Sequence, residues 1–229
     1  MHSKALTTMD INYRQELQKA RQAIEGLERT GQPSTISAYW EVCCGDVLVA
    51  EENAQEMNRV WENASLAKEL LDIAAYLEGF DHMLDKLNTA ISRMIVVLYD
   101  HPLLTLRLLE FQLQVLHRIE AQHDHELGET EEVEQKIRLY RHNIDCADKG
   151  DFDNIHPIGH LKNDPIEWSA EYESNIDEAH RKIYAQLEDL PRGMGFCFAY
   201  WHAKQQVLKE DYDIEWKTPS QMNPGVMFD

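Results

Sequence analysis

Apolar residues return every three or four positions along most of this chain, and that rhythm constrains its fold more than any other feature. Side chains three and four apart share one face of a helix, whereas a strand needs alternation at every second residue. Ile36, Trp40, Cys43, Val47, Ala50, Ala54, Met57 and Trp61 make one such seam, sustained for about seven turns. Gly45 interrupts it at a propensity cost of about 1 kcal/mol. Ahead of it, Leu17, Ala20, Ile24 and Leu27 mark a shorter helix that stops near Gly31 and Pro33. A third seam runs Leu70, Ile73, Leu77, Leu84, Leu87, Ile91, Met94 and Leu98, with Phe80 beside it. Asp100-His101-Pro102 ends it, because a proline pushes the preceding residue out of the helical region. Leu106, Leu109, Leu113 and Leu116 carry a fourth. Short connections favour antiparallel neighbours, so the spacing predicts an antiparallel bundle of four long helices over residues 9–127.

Beyond the bundle the pattern predicts about three further helices. Gly128-Glu129-Thr130 opens the first, with Thr130 as its cap and Glu131 and Glu132 where the helix dipole favours acids. Val133, Ile137, Tyr140 and Ile144 form its stripe. Residues 145–168 lose all period and read as an ordered loop or hinge. Ser169 then caps a helix bearing Tyr172, Ile176, Ala179, Ile183 and Leu187, ended by Pro191, and Phe196, Tyr200, Ala203 and Val207 mark a last one. The tail from Asp211 has no period yet keeps Tyr212, Ile214, Trp216, Met222, Val226 and Phe228, the composition of a segment docked in a groove. No strand-type alternation appears, so the expected fold is all-α. Residues 1–144 form the bundle, and residues 145–229 a helical extension with an irregular loop and a docked, irregular C-terminal tail, packed on it as one unit. Gly45 and Gly79 lie 34 residues apart, a tetratricopeptide spacing, but no third copy falls in register.

Charge narrows the partners. With 41 acidic against 22 basic residues the chain carries −19, while 43% hydrophobic content keeps it globular. A field of that sign repels phosphate backbones and anionic membranes and attracts cations. A basic protein or peptide is therefore the expected partner, with no nucleic acid and no membrane. Cys43, Cys44, Cys146 and Cys197 lack metal-type spacing, and no apolar run approaches the ~18 residues of a membrane span. A reduced, cytoplasmic protein is the expectation.

Several clusters of ionisable residues invite a divalent metal. Glu120 and His123 continue the fourth seam where core residues belong, and carboxylate-bridged dimetal bundles use that Glu-x-x-His spacing. A helix rising out of the core gives the same pattern, and no second copy is present. Glu52, Glu56, Glu69 and Asp72 form another group. Glu69-Leu70-Leu71-Asp72 with Ile73-Ala74-Ala75-Tyr76-Leu77 resembles the Glu-x-x-Asp helix of all-α nucleotide pyrophosphohydrolases of the MazG type. The resemblance covers some 20 residues and implies that these acids hold magnesium at a nucleoside triphosphate. It departs from the family pattern at Gln55, where an acid is expected, and Glu52 and Glu56 fall opposite the apolar seam. Asp145, Asp148, Asp151, Asp153, His156 and His160 make a third, loop-borne cluster without the spacing of an EF-hand. Arg192 between Pro191 and Gly193 offers an anion seat ahead of a helix, or packing by the aromatics that follow.

Every catalytic set is incomplete, whereas Glu120 to Glu134 holds seven acids and no Lys or Arg. The sequence therefore points first to a non-enzymatic acidic interaction module, an adaptor or neutralising protein for a basic partner. The alternative is a divalent-metal enzyme, either MazG-like or a carboxylate/His bundle.

Overall fold

A computed structural model describes residues 12–228. Among the described residues it contains nine helices and no strand. They are α1 (Tyr13–Ile24), α2 (Pro33–Gln55), α3 (Asn63–Leu77), α4 (Leu84–Val96), α5 (Pro102–His123), α6 (Gly128–Asp148), α7 (Ala170–Gln186), α8 (Phe196–Tyr212) and the short α9 (Pro219–Met222). Single 3₁₀ turns at Val60–Glu62, Asp81–Met83, Phe152–Asn154 and Pro165–Trp168 join them.

Local chemistry sets the helix starts. The Asn12 side chain accepts the Gln15 N–H at the head of α1, and the Ser169 hydroxyl accepts that of Tyr172 at the head of α7. Pro33 and Pro102 stand in first turns, where the missing N–H costs nothing. Thr130 is not the cap of α6, which begins at Gly128; its hydroxyl donates instead to Glu120.

The third seam lies on two helices rather than one. The backbone turns extended at Phe80, passes one 3₁₀ turn and restarts at Leu84, so the stretch expected to hold four helices holds five. Leu77 and Leu84 are seven residues apart, a spacing that a continuous helix and a reset helix satisfy equally. At the end of α2, Met57 and Arg59 adopt left-handed backbone (φ 48° and 51°), which turns Met57 outward and leaves Trp61 in a 3₁₀ turn.

Two hydrophobic clusters result. The first gathers α1 to α6 from Leu17 to Ile137, with Leu70, Leu77, Leu87, Ile91, Leu108 and Leu116 fully enclosed. Burying a side chain of that size contributes about 1.5–3 kcal/mol. Gly45 allows α1 close to α2: a Cβ there would stand 2.9 Å from Leu17 Cδ1. The second cluster packs Tyr172, Ile176 and Ile183 of α7 against Val207 and Leu208 of α8, with Ile214 and Trp216 of the tail. The tail is thus docked, and Trp201 and Phe228 stack edge to face at 5.1 Å.

Polar clips hold the second cluster to the first. The Glu173 carboxylate accepts the N–H groups of Leu103 (2.6 Å) and Leu104 (3.0 Å), capping α5 from outside its own segment. His101 Nε2 lies 3.0 Å from Asp177. Two asparagines fasten the aperiodic stretch. Asn143 bonds both the carbonyl (2.8 Å) and the N–H (2.9 Å) of His156, and Asn223 does the same for Lys162 (2.9 and 2.8 Å).

Candidate functional site

Six separate stretches converge on a cavity of about 260 Å³ between the two clusters. The end of α2 supplies Ala54 and Met57, the α4–α5 link Tyr99 and Asp100, and the irregular segment Asn163 and Glu167. Helix α7 adds His180 and Tyr184, α8 adds Tyr200, Trp201 and Lys204, and the tail adds Trp216. Helical spacing explains the contributions of α7 and α8. His180 follows Ile176 by four and precedes Ile183 by three, so it shares the buried face of α7. Lys204 stands in the same relation to Tyr200 and Val207 on α8.

Asp100 is the hub. Its Oδ1 accepts the Tyr172 hydroxyl at 2.6 Å and the Lys204 ammonium at 3.2 Å. The ammonium also lies 4.5 Å above the Trp216 ring and 5.3 Å above that of Tyr172. The Trp216 indole N–H donates to Glu167 Oε1 at 2.6 Å. His180 Nε2 sits 3.4 Å from Asp100 Oδ2 without hydrogen-bond alignment, so neither ring nitrogen of this 2%-exposed side chain has a hydrogen-bond partner in the protein. A buried polar group left unmatched costs about 1–3 kcal/mol, which is why such groups are rare.

The enclosure separates the protonation states. Burial works to raise the Asp100 carboxyl, but Lys204, His180 and the Tyr172 hydroxyl outweigh it and hold it well below the usual carboxylate range. Burial pushes the Glu167 carboxyl up to about 7, opposed by Lys204 and reinforced by Asp100. Burial pushes His180 down to about 4, with Asp100 opposing and Lys204 assisting. Burial, and after it the charge of Asp100, raises the Tyr172 and Tyr200 phenols well above their ordinary value. Near neutrality the cavity therefore presents an Asp100–Lys204 ion pair, a neutral imidazole with one donor and one acceptor to offer, and a carboxyl poised to gain or lose a proton. Shifted groups of this kind in a pocket are a physical signature of binding or proton-transfer sites.

The residues singled out in the sequence lie elsewhere. Glu120 accepts the Leu127 N–H (2.7 Å) and the Thr130 hydroxyl (2.6 Å), which lowers its pKa and fixes the α5–α6 turn. His123 is exposed and stacks on His125. Of the MazG-like acids, Glu69 takes Arg21 (Nε 2.8 Å), Asp72 takes Arg29, and Glu52 stands 3.7 Å from Arg14, while Glu56 is exposed. Arginines thus cover three of the four carboxylates that the resemblance assigns to magnesium, and this donor set does not fit a metal's ligand shell. In the loop cluster Asp145 pairs with Lys149, Asp148 accepts the Ala170 N–H and Asp151 accepts Asn154. Among the described residues no three His, Cys, Asp or Glu side chains converge as a metal cage. Arg192 packs its guanidinium 4.8 Å over Tyr184 and 5.1 Å over Phe196 and donates to the Met57 carbonyl.

Comparison of the chain with protein-family models, with curated proteins and with solved structures gives no match. Among the described residues no helix is long and apolar enough to cross a membrane. Fold and site together define an all-α protein with a solvent-open ionic cavity between two helical clusters.

Proposed function

We propose that the protein binds a small polar molecule in the cavity bounded by Asp100, Glu167, His180 and Lys204. The unmatched His180 imidazole carries this reading. A guest that reaches either ring nitrogen gives the imidazole a hydrogen-bond partner that the protein itself does not provide. Trp201 and Trp216 in the walls make occupancy visible as a change in tryptophan fluorescence. The test is a fluorescence and melting screen of small polar compounds on the parent and on His180→Phe. A ligand at 100 times its dissociation constant adds about 2.7 kcal/mol to stability, well within reach of a melt. A compound that shifts the parent and not the variant supports the reading. Equal shifts in both would sink it.

A second reading, the interaction module for a basic partner, is favoured by the α5–α6 turn. An open cleft of about 570 Å³ there is lined by Glu120, Glu126, Glu131 and Glu134 with His117, and by no Lys or Arg. Long-range attraction at such a face speeds capture of a basic protein and weakens with salt. Reversing charge at Glu131 and Glu134 should abolish capture of a basic peptide at low salt. Unchanged capture would remove this reading without touching the cavity.

A further inference from the structure

We infer that the ligand of this cavity is an organic cation, an ammonium or guanidinium seated between the Glu167 carboxylate and the aromatic walls. This rests on the cavity reading above and gives it a ligand class.

Four observations lead there. Tyr99, Tyr184, Tyr200, Trp201 and Trp216 all line the cavity, and aromatic faces attract cations electrostatically. The protein already uses these rings that way, since the Lys204 ammonium rests on Trp216 and the Arg192 guanidinium on Tyr184. The charges do not balance, either. Lys204 bonds Asp100 and reaches Glu167 through its charge alone, while among the described residues Glu167 is hydrogen-bonded by the neutral indole of Trp216, so two carboxyls share one ammonium. The cost of admission is also one-sided. A cation needs Glu167 ionised, and its carboxyl titrates at about 7. An anion needs an additional positive charge, and His180 titrates at about 4, a penalty of roughly a thousandfold at neutral pH. The chain's −19 charge brings cations toward the molecule in the first place.

Two sources share this chemistry: a free amine or guanidine, and a Lys or Arg side chain presented by a basic peptide. Tryptophan fluorescence and calorimetric titrations at physiological salt separate them, using n-butylammonium and agmatine, a blocked Lys/Arg peptide, and butanol and butyrate as neutral and anionic counterparts. The inference expects saturable binding of a cation, at least tenfold weaker in Glu167→Gln, with butanol and butyrate weak. A peptide that outbinds the free amines identifies a basic partner as the source, and the reverse order a small molecule. The parent alone supplies a check that needs no variant. Facing Glu167 are Asp164 on its own segment, Asp100 from the α4–α5 link, His180 and the Tyr172 phenol from α7, Lys204 and the Tyr200 phenol from α8, and Trp216 from the tail. Of the groups with a resolved shift among these, Glu167 alone titrates between pH 5 and 8, so cation affinity should rise about tenfold per unit up to pH 7 and then level off. Cation binding that is flat with pH, or undiminished in Glu167→Gln, overturns the inference. Butyrate or butanol binding tightly and losing affinity in His180→Phe overturns the cation class while keeping the cavity, and no probe of any charge binding overturns both.

Discussion

The Lys204 ammonium stands 3.2 Å from the Asp100 carboxylate across 104 residues of chain, pinning the second hydrophobic cluster to the turn that precedes α5. Removing one member of a buried pair strands the other, at about 3–5 kcal/mol, whereas removing both costs far less than the sum. Asp100→Asn should therefore lower the urea midpoint strongly. Adding Lys204→Met to it should restore part of the loss. Strictly additive losses in the double-mutant cycle would show that the two groups do not depend on each other.

His180→Phe should raise stability by about 1–2 kcal/mol in the absence of ligand, because it deletes two unmatched polar atoms and keeps an aromatic ring in place. A chemical melt of the purified variant measures this. A destabilised variant would mean that the imidazole is matched in solution.

Asp46 is wholly buried with Oδ2 unpartnered, Arg21 at 3.2 Å and Glu69 nearby; burial first and Glu69 second push its carboxyl up to about 9. The unfolded chain releases this proton near ~3.9, so the native state holds the extra proton between those values and loses stability as pH rises through them. The slope is up to about 1.4 kcal/mol per pH unit. Asp46→Asn mimics the protonated form and should gain on the parent at pH 8 relative to pH 5. Melts that shift equally at both pH values would refute this.

Gly45→Ala should destabilise despite a helix-propensity gain of about 1 kcal/mol, since the new methyl meets Leu17 Cδ1 at 2.9 Å and its Cβ at 3.1 Å. The strain should loosen α1 first. Hydrogen exchange within Tyr13–Ile24 ought to accelerate while α7 and α8 keep their protection; uniform acceleration would place the damage elsewhere.

Much of the fold is legible in the chain because burial follows the helical period. Leu17, Val47, Leu70, Leu87, Ile91, Leu116, Ile137, Ile176 and Ile183 all stand on predicted seams and are all buried. The break at Phe80 is not legible, since the seam keeps its phase across it. The cavity is not legible for a different reason: Asp100, Glu167, His180 and Lys204 come from four segments, and proximity in space leaves no spacing in sequence. One signal was present. His180 and Lys204 each occupy a position their helix's stripe reserves for apolar residues, as Glu120 does on α5, but with nothing in the local sequence to satisfy them. Glu120, by contrast, finds Leu127 and Thr130 within the next ten residues.

The Trp216 wall belongs to the tail, outside the helices that supply most of the cavity. Elements α1 to α6 close their own hydrophobic cluster and leave Asp100 at its margin, without the Tyr172 hydroxyl or the Lys204 ammonium that later chain provides. Without the segment beyond α8 the cavity lacks the side that Trp216 supplies. A nick near Asp213 would therefore cost the proposed binding site its Trp216 wall while leaving the contacts of the first cluster in place.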